Sequence, residues 1–114
     1  MGESRREAFL KRLSTVGFGA RESIEVMLSD IVHDIREQVI QKRFREDEMD
    51  HVAEFHDLAE DLWRDVVKTD PPIAASVLTR RMRELLLASV GPLAQYQRRI
   101  EHGVRAADEF EKAH

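Results

Sequence analysis

The sequence predicts an all-α fold, an up-and-down helical bundle of four main helices plus a short N-terminal helix. Three observations carry that expectation. Apolar residues recur at steps of three and four along most of the chain, the period of one buried helix face. No segment alternates apolar and polar residues with period two, so no strand is expected. Helix-breaking residues gather at three places, Gly17 to Gly19, Pro71-Pro72 and Gly91-Pro92. With 114 residues the chain fits one domain, 1–114.

Ser4 followed by Glu7 has the spacing of a capping box, and Phe9, Leu10, Leu13 and Val16 follow it, so a short helix is expected over 4–16. Gly17-Phe18-Gly19 then ends it. Docking on the bundle is its expected role. Exchange with a partner, or contact with an apolar surface as in a coat or adaptor, are the alternatives.

Residues 20–68 read as a helical hairpin. On the first arm, 20–44, Ile24, Leu28, Ile31, Ile35 and Val39 form the inward stripe, widened by Val26, Met27, Val32 and Ile40. The second arm, 47–68, places Val52, Phe55, Ala59, Leu62 and Val66 on one side, the seam of a bundle. The join, QKRFREDE, holds no glycine or proline. An unbroken helix over 20–68 would be about 73 Å long, too long for a compact monomer of this size. A turn near 44–47 is therefore expected, with Asp47 as N-cap.

Two further helices fill 71–111. Thr69-Asp70-Pro71-Pro72 ends the hairpin, Asp70 is the expected cap of the next helix, and Pro71 its first residue. That helix, 71–89, should turn Ile73, Val77, Met82, Leu85 and Leu86 inward. Gly91-Pro92 makes a turn, and a last helix over 92–111 buries Leu93, Tyr96, Ile100, Gly103, Ala107 and Phe110. Gly103 lets a neighbour approach closely.

Composition narrows the chemistry. The chain has no cysteine, which excludes disulfides, thiolate catalysis and sulfur-ligated zinc. No uncharged run approaches the ~18 residues of a membrane span. The N-terminus lacks a signal-peptide pattern, and Arg6 stands where a myristoylation signal needs Ser or Thr. The chain reads as cytoplasmic. Charged residues make up 35%, suited to helices with solvated outer faces. A small domain of this kind often completes its core by pairing with a second copy. The net charge of −4 is uneven: residues 45–70 hold ten acids against three bases, while 1–20 and 71–90 are basic. Without a basic face, a nucleic-acid partner is not expected.

Three groups of residues could carry chemistry. His33 lies off the buried stripe and is expected on the surface. His33-Asp34-Ile35-Arg36, with Val39 beyond, resembles the H box of histidine-kinase dimerisation domains. In that family an exposed histidine on a dimerising helical hairpin accepts a phosphoryl group. The resemblance spans about eight residues, and Gln38 stands where the family usually has proline. It implies a phosphoryl relay through His33 with no nucleotide-binding domain attached.

The second group is the Glu-x-x-His spacing of Glu48 and His51, which with Asp47 and Glu54 could hold a divalent metal in a bundle. Only Glu111 and His114 repeat the spacing, so the ligand set is incomplete. The third group is the row Asp47, Asp50, Glu54, Asp57, Asp61 and Asp65, whose steps place all six on one side of a helix. Arg80, Arg81 and Arg83, or Arg98 and Arg99, are the expected compensating charges, within the chain or across a dimer.

No phosphate loop or nucleophile motif is present. The leading reading is non-enzymatic, with no cofactor: a self-associating interaction or regulatory module that presents charged faces to a protein partner. Asp50, Glu54, Asp57, Asp61, Arg80, Arg81 and Arg83 are the expected contact residues. The alternatives are phosphotransfer through His33 and a metal site at Glu48 and His51.

Overall fold

A computed structural model of the chain describes residues 18–113; the helix expected over 4–16 lies outside the described residues. The stripe of three and four steps resolves into four α-helices: α1 (Phe18–Ile40), α2 (Met49–Val67), α3 (Ala75–Ala88) and α4 (Gln97–Ala113). Each helix packs against its neighbours in sequence, and α4 closes the ring against α1. The pairs α1/α3 and α2/α4 therefore face one another across the core. The all-α bundle read from the sequence is the fold, and no strand occurs among the described residues.

Ile24, Leu28, Ile31, Val32 and Ile35 enter the core from α1, and all five expected residues of α2 do so. From α4 and the segment before it come Leu93, Tyr96, Ile100, Ala107 and Phe110. Gly103 is buried between two methionines: a Cβ there would lie 2.5 Å from the Met82 Cε and 2.7 Å from that of Met27. The expected close approach is real, and both α1 and α3 make it.

The hairpin turn is built differently from the expectation. Helix α1 ends at Ile40, and Lys42 takes a left-handed conformation with φ of 55°. The Arg43 N–H then donates to the Gln38 carbonyl at 2.9 Å and the Lys42 N–H to that of Val39 at 3.0 Å. This is a Schellman ending with lysine in the glycine position. Phe44 packs back onto the core, and a 3-10 turn, Glu46–Glu48, leads into α2. Asp47 is not the cap. The Glu48 carboxylate instead accepts the Arg45 N–H at 2.8 Å, which satisfies an amide at the helix entry.

The next helix starts later than expected. An isolated bridge joins Thr69 to Pro72 around a cis Asp70–Pro71 bond, so both prolines belong to the turn. Helix α3 begins at Ala75, after an extended Ala74, and Asp70 caps nothing. At its other end Ser89 donates from Oγ to the Leu86 carbonyl at 2.6 Å. Gly91, with φ of +58°, opens a 3-10 segment, Gly91–Tyr96, with Pro92 in its first turn. The α-helical part of the last element therefore starts at Gln97.

At the open end of the α1/α2 hairpin, Arg21 of α1 donates to the Val66 carbonyl at 3.2 Å and that of Lys68 at 3.4 Å. A cation there satisfies the last carbonyls of α2 and complements its dipole.

Candidate functional site

His33 is exposed on α1, as its position on the helical wheel requires. Its Nδ1–H donates to the Ser29 carbonyl at 2.7 Å. A carbonyl can only accept, so the proton is on Nδ1, and in the neutral ring the lone pair is on Nε2. The ring meets Trp63 of α2 edge-on, with centroids 6.2 Å apart. One turn further on, Arg36 donates from Nε to His56 Nε2 at 3.0 Å and pairs with Glu60. Glu60 also takes Arg64 at 3.0 Å. Because His56 Nε2 accepts, its own proton is on Nδ1, which donates to Asp57 at 3.1 Å. The outer side of the α1/α2 hairpin is thus a rigid polar lattice with His33 at its edge.

Asp34, the neighbour of His33 in sequence, turns the other way. Its carboxylate accepts from the Tyr96 hydroxyl at 2.6 Å and from Gln38 Nε2 at 2.8 Å. Gln38 also reaches the Tyr96 hydroxyl at 2.9 Å and Gln95 at 3.0 Å. Tyr96 is buried, stacks on Phe55 and has Arg99 over its ring at 6.0 Å. Burial, then the hydrogen bond and charge of Asp34, hold the phenol above its ordinary pKa, with Arg99 opposing. This network locks α1 to the 3-10 segment that leads into α4. Only Tyr96, as an anchor, is visible in the sequence; Asp34 and Gln38 share one face of α1, but they meet Gln95 and Tyr96 from 57 to 62 residues further along the chain.

The Glu-x-x-His residues do not converge. Glu48 is occupied by the Arg45 amide, Asp47 pairs with Arg45 at 3.1 Å, and Glu54 is exposed. His51 is half-buried, and its Nε2 is secluded without a hydrogen-bond partner among the described residues. Among those residues no three His, Asp or Glu side chains gather in a way that could hold a metal ion. His114, the second half of the other Glu-x-x-His spacing, lies outside the described residues.

The acidic row divides. Asp65 pairs with Arg81 of α3, and that hydrogen bond, helped by the charges of Arg81 and Lys68 and opposed by desolvation, keeps its carboxyl below the ordinary range. Asp50, Glu54, Asp57 and Asp61 stand exposed on the face of α2 away from the core. Among the described residues, only Asp57 of these four has a side-chain partner, the adjacent His56. Arg81 alone among the expected bases answers the row: Arg80 lies 4.0 Å from Glu84, and Arg83 binds Asp108 at 2.9 Å. Arg98 and Arg99 belong to α4, across the core from α2.

Three residues expected to help bury α1 are exposed, Val39 at the margin and two others far more. Val26 is 60% exposed and Ile40 74%. They stand seven residues to either side of His33, on one outward line of the helix. Val26 also borders an open groove of about 1040 Å³ between α1 and α4, with Ile24, Met27 and Gly103 at its floor and Asp30, Arg99 and Glu109 at its rim. A smaller apolar spot, Leu87 and Val90, lies at the end of α3.

Comparison with protein-family models, with curated proteins and with solved structures returns no match to this chain. Among the described residues no helix is long and apolar enough to cross a membrane. Function therefore has to be argued from these surfaces.

Proposed function

We propose that the chain is a non-enzymatic helical interaction module that associates with a second copy through its α1/α2 hairpin. The acidic outer face of α2 is then left for a basic protein partner. The observation that carries this reading is the line Val26, His33, Ile40: two large aliphatic side chains, mostly exposed, on a helix whose other apolar residues are largely buried. Apolar groups repeating at heptad spacing on an outward face match a helix–helix seam, with a polar residue at the centre to fix register.

Light scattering over a range of concentrations tests it. The wild type should reach the mass of a dimer, and Val26→Gln with Ile40→Gln should remain monomeric while keeping its helical content. A wild type that stays monomeric throughout rules the reading out.

A second reading has one specific support. The Nδ1–H bond to Ser29 leaves the lone pair of His33 Nε2 open, which suits attack on the phosphorus of an acyl phosphate. The P–N bond would form, the P–O bond to the carboxylate would break, and Nδ1 would keep its proton. Acetyl phosphate should then label the wild type and not His33→Gln. Equal labelling of the two, or none, removes this alternative.

A further inference from the structure

We infer that the second copy binds α1 antiparallel, on a two-fold axis that passes beside His33. This rests on the self-association reading and specifies its geometry. A two-fold at residue 33 brings Val26 of one copy to Ile40 of the other, twice, and sets the two His33 rings side by side. Each exposed aliphatic side chain then covers another. A parallel pairing in register would also match apolar with apolar, so charge has to decide between them.

The free charges along α1 are polarised. Glu22 and Asp30, toward its N-terminal end, are exposed and have no ion-pair partner among the described residues. Lys42 and Arg43, just past its C-terminal end, are likewise exposed and unpaired there. Arg36 is paired with Glu60, while Glu37 accepts only from the neutral Gln41 amide at 2.7 Å and keeps its charge, so the charges that distinguish the two orientations are those at the helix ends. Parallel copies would bring acid to acid at one end and base to base at the other. The antiparallel arrangement sets Glu22 of each copy one residue from the register of the second copy's Arg43, and like-charge repulsion becomes attraction at both ends. Such an interface is isologous, so it closes at two copies and does not propagate into a fibre.

The outer surface of α1 permits this approach. Ser29 beside His33 is small, and Trp63 backs the imidazole from α2, which holds the ring in place. A polar side chain at the central seam position favours one register, because any slip would bury it against an aliphatic neighbour. Two aliphatic contacts and two charge pairs make a weak and reversible dimer.

The natural absence of cysteine makes disulfide trapping in the full-length chain clean. Each of Val26→Cys, His33→Cys and Ile40→Cys alters an exposed side chain, so the fold should persist, and circular dichroism checks that it does. Antiparallel pairing predicts that His33→Cys oxidises to a homodimer. It also predicts that Val26→Cys mixed with Ile40→Cys gives mainly the mixed dimer, because only Cα atoms about 4.4–6.8 Å apart can be bridged. Homodimers of Val26→Cys and of Ile40→Cys in preference to the mixed species would overturn the inference. A dimer by light scattering that none of the three traps would also overturn it, while leaving self-association standing. A wild type that is monomeric at every concentration removes both. As a second readout, Glu22→Arg should weaken dimerisation about three- to tenfold through its two symmetric pairs. Adding Arg43→Glu in the same chain should restore it. No rescue counts against the antiparallel register.

Discussion

Lys42 holds a backbone conformation that glycine adopts without steric cost and lysine does not. Its φ of 55° is fixed by the bonds that end α1, so the cost is intrinsic to the turn. Lys42→Gly should raise stability by about 1 kcal/mol, less a few tenths for the freer unfolded chain, measured by thermal or urea denaturation. A loss of stability would mean that the lysine side chain does something the turn requires. Tyr96 offers the complementary test. Tyr96→Phe takes one hydrogen bond from Asp34, while the two amide hydrogens of Gln38 keep Asp34 and Gln95 as acceptors, and should cost about 1–3 kcal/mol at neutral pH. The folded phenol keeps its proton above its ordinary pKa, so above pH ~10 only the unfolded chain releases it. The unfolded state then binds fewer protons than the native one, and stability falls as pH rises. The phenylalanine variant should lose less stability than the wild type between neutral and strongly alkaline pH; parallel curves would refute that assignment. The burial of Tyr96 is legible in the sequence, but its polar partners and the role of Lys42 are not. A lysine carries no turn signal, and the place of the Schellman ending became clear only once α1 was seen to stop at Ile40.

At the scale of the helix, legibility followed the contrast between faces. Helix α2 alternates strongly between apolar and charged sides, and each residue of its expected stripe is buried. The same holds for the last element from Leu93 to Phe110. Helix α3 was read less well: Leu78 and Thr79 are buried, while Ile73, Val77 and Leu86 are only half so. Its apolar residues surround much of the helix, so periodicity alone leaves the phase open. Thr79 enters the core because its hydroxyl donates to the Ala75 carbonyl at 3.0 Å and to that of Ala107 on α4 at 3.3 Å. Val39 was expected inside and is exposed, since α1 ends one residue later and Phe44 returns from the turn to pack on the core. Gly103 sets the spacing of α4 from its neighbours. Gly103→Ala gains about 1 kcal/mol of helix propensity, but its methyl displaces two flexible methionine ends. The terms oppose, and the variant should lie within about 1 kcal/mol of the wild type. Gly103→Val adds bulk that methionine movement cannot absorb and should cost about 1–3 kcal/mol or more. Calorimetry on both variants separates the two terms; equal melting temperatures would show that the contact is loose.

Across the whole molecule, the acidic face and the outward aliphatic line belong to different helices, α2 and α1, so the charges of one can be altered without changing the apolar side chains of the other. Asp50, Glu54, Asp57 and Asp61 follow one another at steps of three and four, so Glu54 is neighbour to two like charges on its own helix. Among the described residues only Asp65, at the end of the row, is answered by a base from another helix, Arg81. In the isolated protein the remainder is a repulsion that folding has to overcome. Glu54→Lys turns two repulsive neighbours into attractive ones and should stabilise the fold by about 1 kcal/mol at low ionic strength, two pairs each changing sign. Salt shortens the Debye length to about 3 Å at 1 M, so most of that gain should vanish there. Chemical denaturation by urea, which adds no charge of its own, is the measurement. The same substitution should leave dimerisation through α1 unchanged and weaken capture of a basic partner by α2. A variant destabilised at low salt would mean that the row is already neutralised within the fold and is not kept for a partner. A retained acidic row that costs stability in isolation is, by contrast, what a docking face for a cationic surface requires.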